Sequence, residues 1–314
     1  MPLDRAKNDR PTGMGGVTMS SLSSHPRYYE QKTRAEKKVG RPLSPDEFER
    51  DHWVLPDSEL SSGTSIFDPV LCEIAYRWFS PVGGLILDPF AGGSVRGIVA
   101  NKLGRQYIGH ELRQEQVDAN RIQGSELCGD EEHPPAWICG DSRTIDTTCA
   151  DVHADMVFSC PPYADLEVYS DDPRDLSRMT YDKFLEAYRK IIAAAVGMLK
   201  PDRFACFVVG DVRDRKGLYR NFPGDTISAF KAAGARLYNE AILVTAIGSL
   251  PIRVGKQFTS GRKMGKTHQN VLVFVKGDPR RATEACGPVE AYDPAEAFGE
   301  VVSAESNGER SDLP

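Results

Sequence analysis

The chain reads as a doubly wound α/β sheet with mostly parallel strands. Three observations predict it. Short apolar runs alternate with segments of helical period through the middle of the chain. Four successive runs, at 85–87, 106–109, 136–139 and 156–158, end beside a residue that can bind or bend: Asp88, Glu111, Asp141 and Cys160. A fifth run, Phe204 to Val209, is apolar throughout, as a strand covered on both faces must be. Ligands in such sheets bind at the carboxyl ends of strands, so those four residues are expected to mark a site.

The elements follow in order. Residues 1–24 are polar, rich in Gly and Ser and without period, and are expected to be a disordered arm. Residues 25–62 read as a basic helical extension carrying Arg27, Lys32, Arg34, Lys37 and Lys38, with a capped start at Ser44; a solvated helix and a DNA contact are both open here. Val95, Ile98, Val99 and Leu103 share one helical face, and Gly104 can end that helix. A longer stripe runs from Tyr181 to Leu199 and is expected to stop at Lys200-Pro201. Pro223-Gly224-Asp225 opens another helix, and Leu237–Thr245 with Asn270–Lys276 look like a closing pair of strands. The segment from 279 to 314 is expected to be a poorly ordered tail.

Bulk composition narrows the function. With 40% hydrophobic and 27% charged residues the chain is ordinary for a globular protein. Its net charge of −6 means that any nucleic-acid contact must come from a local basic patch. Seven cysteines without a CxxC pair exclude zinc-ribbon spacing, and no metal is expected. The odd number and the lack of a secretory leader point to a reducing cytoplasm. No apolar run approaches the ~18 residues of a membrane span.

The chemistry concentrates in two turns. In LILDPFAGGSVRG (85–97) a strand ends in an acid, and a glycine-rich turn leads into a helix. Glycines let a ligand approach the backbone, and the helix start offers unpaired N–H groups. The carboxylate of Asp88 suits a cationic, zwitterionic ligand better than a phosphate. Glu111 can take both hydroxyls of a ribose, and Asp141 the exocyclic amine of an adenine. The second turn, VFSCPPY (157–163), is rigid because Pro161 and Pro162 fix φ and donate no hydrogen bond. Its carbonyls can orient an amine, and Tyr163 can stack on a planar base.

DPFAGGS followed by CPPY resembles the S-adenosylmethionine-dependent DNA methyltransferases that modify exocyclic amines, at cytosine N4 or adenine N6. The likeness extends over 63–278, through GTSIFDPVLCEIAYRWF, FVVGDVR and HQNVLVFVKG. It implies a Rossmann-like seven-stranded sheet, mostly parallel with an antiparallel closing strand, in a phage or bacterial modification enzyme. It also implies site residues. Phe67, Asp68, Asp88, Pro89, Phe90, Ala91, Gly92, Gly93 and Ser94 would surround the methionine part of S-adenosylmethionine. Glu111 and Leu112 would meet its ribose, and Asp141 and Ser142 its adenine. Ser159, Cys160, Pro161, Pro162 and Tyr163 would form the catalytic turn, with the Pro161 carbonyl accepting from the amine of a flipped base.

Two departures from the pattern matter. Ser94 replaces a glycine, which a negative φ would allow. Cys160 replaces Asp, Asn or Ser and is a weaker acceptor, so the prolyl carbonyl or Ser159 is expected to help. As a near-isostere of serine, Cys160 tilts the target toward cytosine N4. The alternatives are attack by Cys160 on a pyrimidine for carbon-5 methylation, an RNA or protein-glutamine substrate, and a non-catalytic DNA- and cofactor-binding protein.

DNA contact is expected at 249–268, a glycine-punctuated loop with Arg253, Lys256, Arg262, Lys263, Lys266 and no acid. The acidic segment 164–180 would instead shape the base pocket or act as a lid. No separate recognition domain is visible, so double-stranded DNA would be read through short inserts. A homodimer or a restriction partner is compatible with this.

Overall fold

Sequence period turns directly into structure in this computed structural model, which describes residues 28–44, 47–48, 67–129, 131–164, 169–244 and 250–289; the side chains of residues 28–31, 250–253 and 256 are also outside it. The expected arm at 1–24 and the tail beyond 289 lie outside the described residues.

The strands are β1 (Leu85–Asp88), β2 (Gln106–Glu111), β3 (Ala136–Cys139), β4 (Ala154–Ser159), β5 (Leu199–Val209), β6 (Arg236–Val244) and β7 (His268–Lys276). The helices are α1 (Tyr28–Val39), α2 (Pro69–Phe79), α3 (Val95–Lys102), α4 (Gln114–Cys128), the single turn α5 (Ile145–Thr148), α6 (Tyr181–Met198), α7 (Phe222–Ala232), α8 (Leu250–Gly261) and α9 (Pro279–Cys286).

One seven-stranded sheet runs in the order β3-β2-β1-β4-β5-β7-β6. β7 is antiparallel to both β5 and β6, and the other pairs are parallel. The expected fold class is therefore the one observed. Strand order reverses between β1 and β4, which opens a crevice at their carboxyl ends. Two apolar layers cover the sheet. One is built on α6 and α7, with Phe184, Tyr188, Phe207, Phe222 and Phe230 fully buried. The other is built on α2, α3 and α9.

Four local expectations need correction. The helix α6 ends at Met198, just before Lys200-Pro201 as expected, but β5 begins at Leu199 rather than at Phe204, so both residues lie in the strand. Residues 279–286 are a helix, not tail. Asp278 caps it by accepting from the amides of Arg280 and Arg281, Ala282 is buried, and Arg281 pairs with Asp202 at 2.6 Å. The segment 250–261 is the helix α8 rather than a loop. In α3 the deepest residues are Arg96, Gly97, Ala100 and Asn101, while Val95, Ile98, Val99 and Leu103 are half-buried. Small residues face inward because the helix lies close to the sheet: a Cβ on Gly97 would stand 2.7 Å from the Trp137 ring and 2.9 Å from Tyr107.

At the amino-terminal side, Ser44 accepts from the amide of Glu47, as its capping role predicts, and Phe48 beside it is fully buried.

Candidate active site

Asp88 closes β1 and is fully buried. Its carboxylate accepts four hydrogen bonds: from the Phe90 amide (3.0 Å), the Ser159 hydroxyl (2.6 Å), the Arg96 Nε (2.6 Å) and the Tyr107 hydroxyl (2.8 Å). The expected open carboxylate for a cationic ligand is thus a saturated hub. Arg96 spends its other donors on the Phe90 and Ala91 carbonyls and lies 4.7 Å from the centre of the Phe67 ring. Burial opposes the arginine's charge, but Asp88 beside it more than offsets this and keeps it protonated. The pair fixes both ends of the 88–96 turn.

Within that turn Gly92 has φ +50°, a region that favours glycine. A Cβ on Gly92 or on Gly93 would meet nothing within 4 Å, so the turn is an open cradle for a ligand. Ser94 keeps φ at −75°, which is the condition its substitution required. Pro89 and Ala91 are buried, and Phe90 turns its ring toward Tyr188 and Phe207 in the core. Phe67 packs edge-on against Phe158 at 5.7 Å, whereas Asp68 is spent on capping α2 through the Val70 amide.

Glu111 reaches the same cradle from β2. Its carboxylate accepts from the amides of Gly92 (3.1 Å) and Arg113 (3.0 Å), and burial raises its pKa despite these bonds. Leu112 follows it, and its carbonyl accepts from the Cys139 thiol. Asp141, past the end of β3, is held by Arg143 in a bidentate pair with a closest contact of 2.6 Å. Burial would raise the Asp141 carboxyl, but the Arg143 bonds win and lower it, with Arg174 nearby adding to the effect. Ser142 donates to the Pro89 carbonyl at 2.6 Å and ties this edge to the glycine turn. The acidic segment therefore reaches the Asp141 side. Its own charges are spent locally, Asp172 on Arg174 and Asp171 on Arg178; residues 165–168 lie outside the described residues.

The catalytic turn leaves β4 beside the cradle. Ser159 is fully buried and its hydroxyl donates to Asp88. Cys160 is half-buried with its sulfur 3.6 Å from the Tyr163 hydroxyl. Among the described residues no hydrogen bond reaches the Pro161 carbonyl. Pro162 and Tyr163 are half-buried. Gln269, at the start of β7, donates to the Tyr163 hydroxyl at 2.6 Å, and Phe222 meets the ring edge at 6.2 Å. Burial pushes the Tyr163 hydroxyl well above the usual tyrosine pKa, so it stays protonated.

Asp88 thus ties the glycine turn to β2 and β4 through Phe90, Tyr107 and Ser159, while Glu111 and Ser142 join the same turn at Gly92 and Pro89. Arg96, Tyr107, Gln269 and Phe222 were missed. An arginine three residues past Gly93, in the first turn of its helix, is the available signal for Arg96; the others carry none. Of the expected DNA contacts, Arg262, Lys263 and Lys266 follow α8 and lead into β7, while the side chains of Arg253 and Lys256 lie outside the described residues. Among the described residues no group of three metal-ligating side chains exists, and no helix is long and apolar enough to cross a membrane.

Residues 30–121 match the family model described as DNA methylase. That match covers the glycine turn and is confined to this part of the chain; the sheet behind it has the antiparallel closing strand that the sequence predicts. Solved structures with a similar fold include TrmN from Thermus thermophilus (16% identity, TM-score 0.44, 67% of this chain and 49% of that one). A putative RNA methyltransferase from Pyrococcus horikoshii (15%, TM-score 0.43, 67% and 82%) is another. A third is magnesium protoporphyrin IX methyltransferase from Synechocystis, solved with bound cofactor (10%, TM-score 0.43, 80% and 95%). This chain spans about half the length of TrmN. No curated protein sequence matches it significantly.

Proposed function

We propose that this chain is an S-adenosylmethionine-dependent methyltransferase that modifies an exocyclic amine of a flipped base in double-stranded DNA, with cytosine N4 favoured over adenine N6. The observation that carries the reading is the junction of the two turns: the rigid Cys160-Pro161-Pro162-Tyr163 turn leaves β4 beside the open glycine cradle, and Ser159 joins them through Asp88. The match to the DNA methylase family supports DNA as the substrate.

The open backbone at Gly92 and Gly93 and the two acids on the rim fit the cofactor. Gly92, Gly93 and Phe67 would hold its methionine end, Glu111 its ribose and the Asp141–Ser142 corner its adenine. When bound, the cofactor supplies an electrophilic methyl group on a sulfonium. The chain supplies position. The Pro161 carbonyl accepts a hydrogen bond from the target amine and turns its lone pair toward the cradle. Tyr163, anchored by Gln269 and Phe222, is a fixed platform for the flipped ring. Cys160 adds a small side chain that leaves room for the amine and accepts only weakly.

The test is to incubate the protein with unmethylated DNA and labelled S-adenosylmethionine, digest to nucleosides and identify the labelled one. N4-methylcytosine is expected, and N6-methyladenine keeps the class but changes the base. Label at carbon 5 of cytosine would make Cys160 a nucleophile instead. Label in RNA or protein alone would overturn the DNA assignment.

A further inference from the structure

A second basic feature stands beside the catalytic turn, outside the segment expected to grip DNA. Residues 211–221 leave the end of β5 and return to α7 as a tight hairpin. Arg213 and Tyr219 bridge in antiparallel fashion, the Asp214 amide donates to the Leu218 carbonyl, and the Arg220 amide donates to Val212. Both roots touch the site. A Cβ on Gly210 would lie 3.4 Å from the Tyr163 ring, and Phe222 packs on that ring. The strand entering from 262–267 reaches the same tyrosine through Gln269.

The hairpin and the 262–267 segment meet. The side chain of Lys263 lies against Gly217, and the Lys266 ammonium sits 6.0 Å from the Tyr219 ring. Arg213 covers that ring at 3.8 Å. Residues 211–220 and 262–266 contain seven Lys or Arg and two Asp, a local excess of positive charge on a chain of net −6. The two acids are used up in shaping the hairpin. Asp214 accepts from the amides of Lys216 and Leu218, and Asp211 from those of Val212 and Phe222. Other exposed cations, Arg174, Arg178 and Arg281 among them, have carboxylate partners. Arg213, Arg215, Lys216, Arg262, Lys263 and Lys266 have none among the described residues. Unneutralised cations around a half-exposed aromatic ring suit a polyanion that also offers flat apolar surface.

Resting on the functional reading above, we propose that the 211–221 hairpin and the 262–267 segment form one clamp for the phosphates of duplex DNA flanking the flipped base. Leu218 and Tyr219, both well exposed, form the edge that faces the groove. The spacing follows from the roots: both basic arms start at Tyr163, so phosphates held there lie next to the nucleotide stacked on it.

The test compares wild type with the triple variant Arg215→Gln, Lys216→Gln, Arg262→Gln. A charge-matched control carries Lys183→Gln, Lys231→Gln and Arg280→Gln, all exposed and away from the site. The readouts are DNA affinity against salt, cofactor affinity and thermal melting. Each phosphate contact contributes roughly 0.9 to the slope of log affinity against log salt, so the clamp variant should lose about three from that slope and at least about tenfold in affinity. Cofactor affinity and melting should stay at wild-type values, and the control should bind DNA as wild type does. A clamp variant that binds like wild type, on DNA that wild type methylates, overturns the clamp and leaves the function standing. A wild-type protein that binds and methylates RNA but not DNA overturns both.

Discussion

Asp88 carries more of this site than any other single side chain. Four donors converge on it, one of them the buried Arg96 guanidinium, so its negative charge is tolerable only while Arg96 is present. Removing one partner of a buried, hydrogen-bonded pair typically costs about 3–5 kcal/mol. Arg96→Met is therefore expected to lose stability on that scale in denaturant unfolding and to weaken cofactor binding, because the Phe90 and Ala91 carbonyls lose their donor. A stability loss below 1 kcal/mol, roughly that of a surface change, would show that the pair is not structural. Glu111 makes a prediction about pH. Its folded carboxyl titrates above the ordinary 4.5 because burial disfavours the charge. The folded state then binds the proton more tightly than the unfolded chain, so this group costs stability as pH rises through the window above 4.5 and not below it. If its carboxylate holds the ribose, cofactor affinity must fall as pH drops through that same raised midpoint. Titration calorimetry across the range should show this fall in wild type, and Glu111→Gln should abolish it.

At the scale of elements, the alternating pattern was enough to locate all seven strands, because each buried run is apolar and each ends at a residue with a job. What the pattern hid was depth. The amphipathic stripe of α3 pointed to Val95, Ile98, Val99 and Leu103, yet the face against the sheet is Arg96, Gly97, Ala100 and Asn101. Apolar period reports which side is oily, while the distance between helix and sheet is set by small residues that leave no hydropathy signal. The same blindness missed α9, whose charged sequence forms a helix because Asp278 caps it and Arg281 anchors it to Asp202. It also missed the 211–221 hairpin, whose turn is made by side-chain bonds from Asp214. The site was more legible than its wiring: positions at strand ends were readable, but the partners of Asp88 come from β2, α3 and β4, far apart in sequence. Close packing at α3 is testable. Gly97→Ala puts a methyl group into the rings of Trp137 and Tyr107 and should cost about 1–3 kcal/mol in unfolding experiments. A neutral result would mean that α3 can move outward, and cofactor affinity would then be unchanged as well.

At the scale of the whole molecule, the sheet has two functional halves divided by the reversal between β1 and β4. In the proposed function, β1, β2 and β3 bring the cofactor cradle and its acids. β4, β5 and β7 bring the catalytic turn, the basic hairpin and the glutamine behind Tyr163. The halves are joined by the β1–β4 ladder, and at its carboxyl end a side-chain hydrogen bond runs from Ser159 of β4 to Asp88 of β1. Ser159→Ala deletes it without touching the ligands, and hydrogen bonds to a charged group are worth about 1.5–3 kcal/mol. The variant should therefore weaken S-adenosylmethionine binding even though Ser159 belongs to the catalytic turn, and it should slow transfer as well. A double-mutant cycle with Asp88→Asn separates coupling from simple loss of stability. With unfolding free energies and cofactor affinities measured on all four proteins, a coupling of about 1 kcal/mol or more is expected. Strictly additive losses in both quantities would mean that the two turns work independently and that the crevice is assembled by the sheet alone.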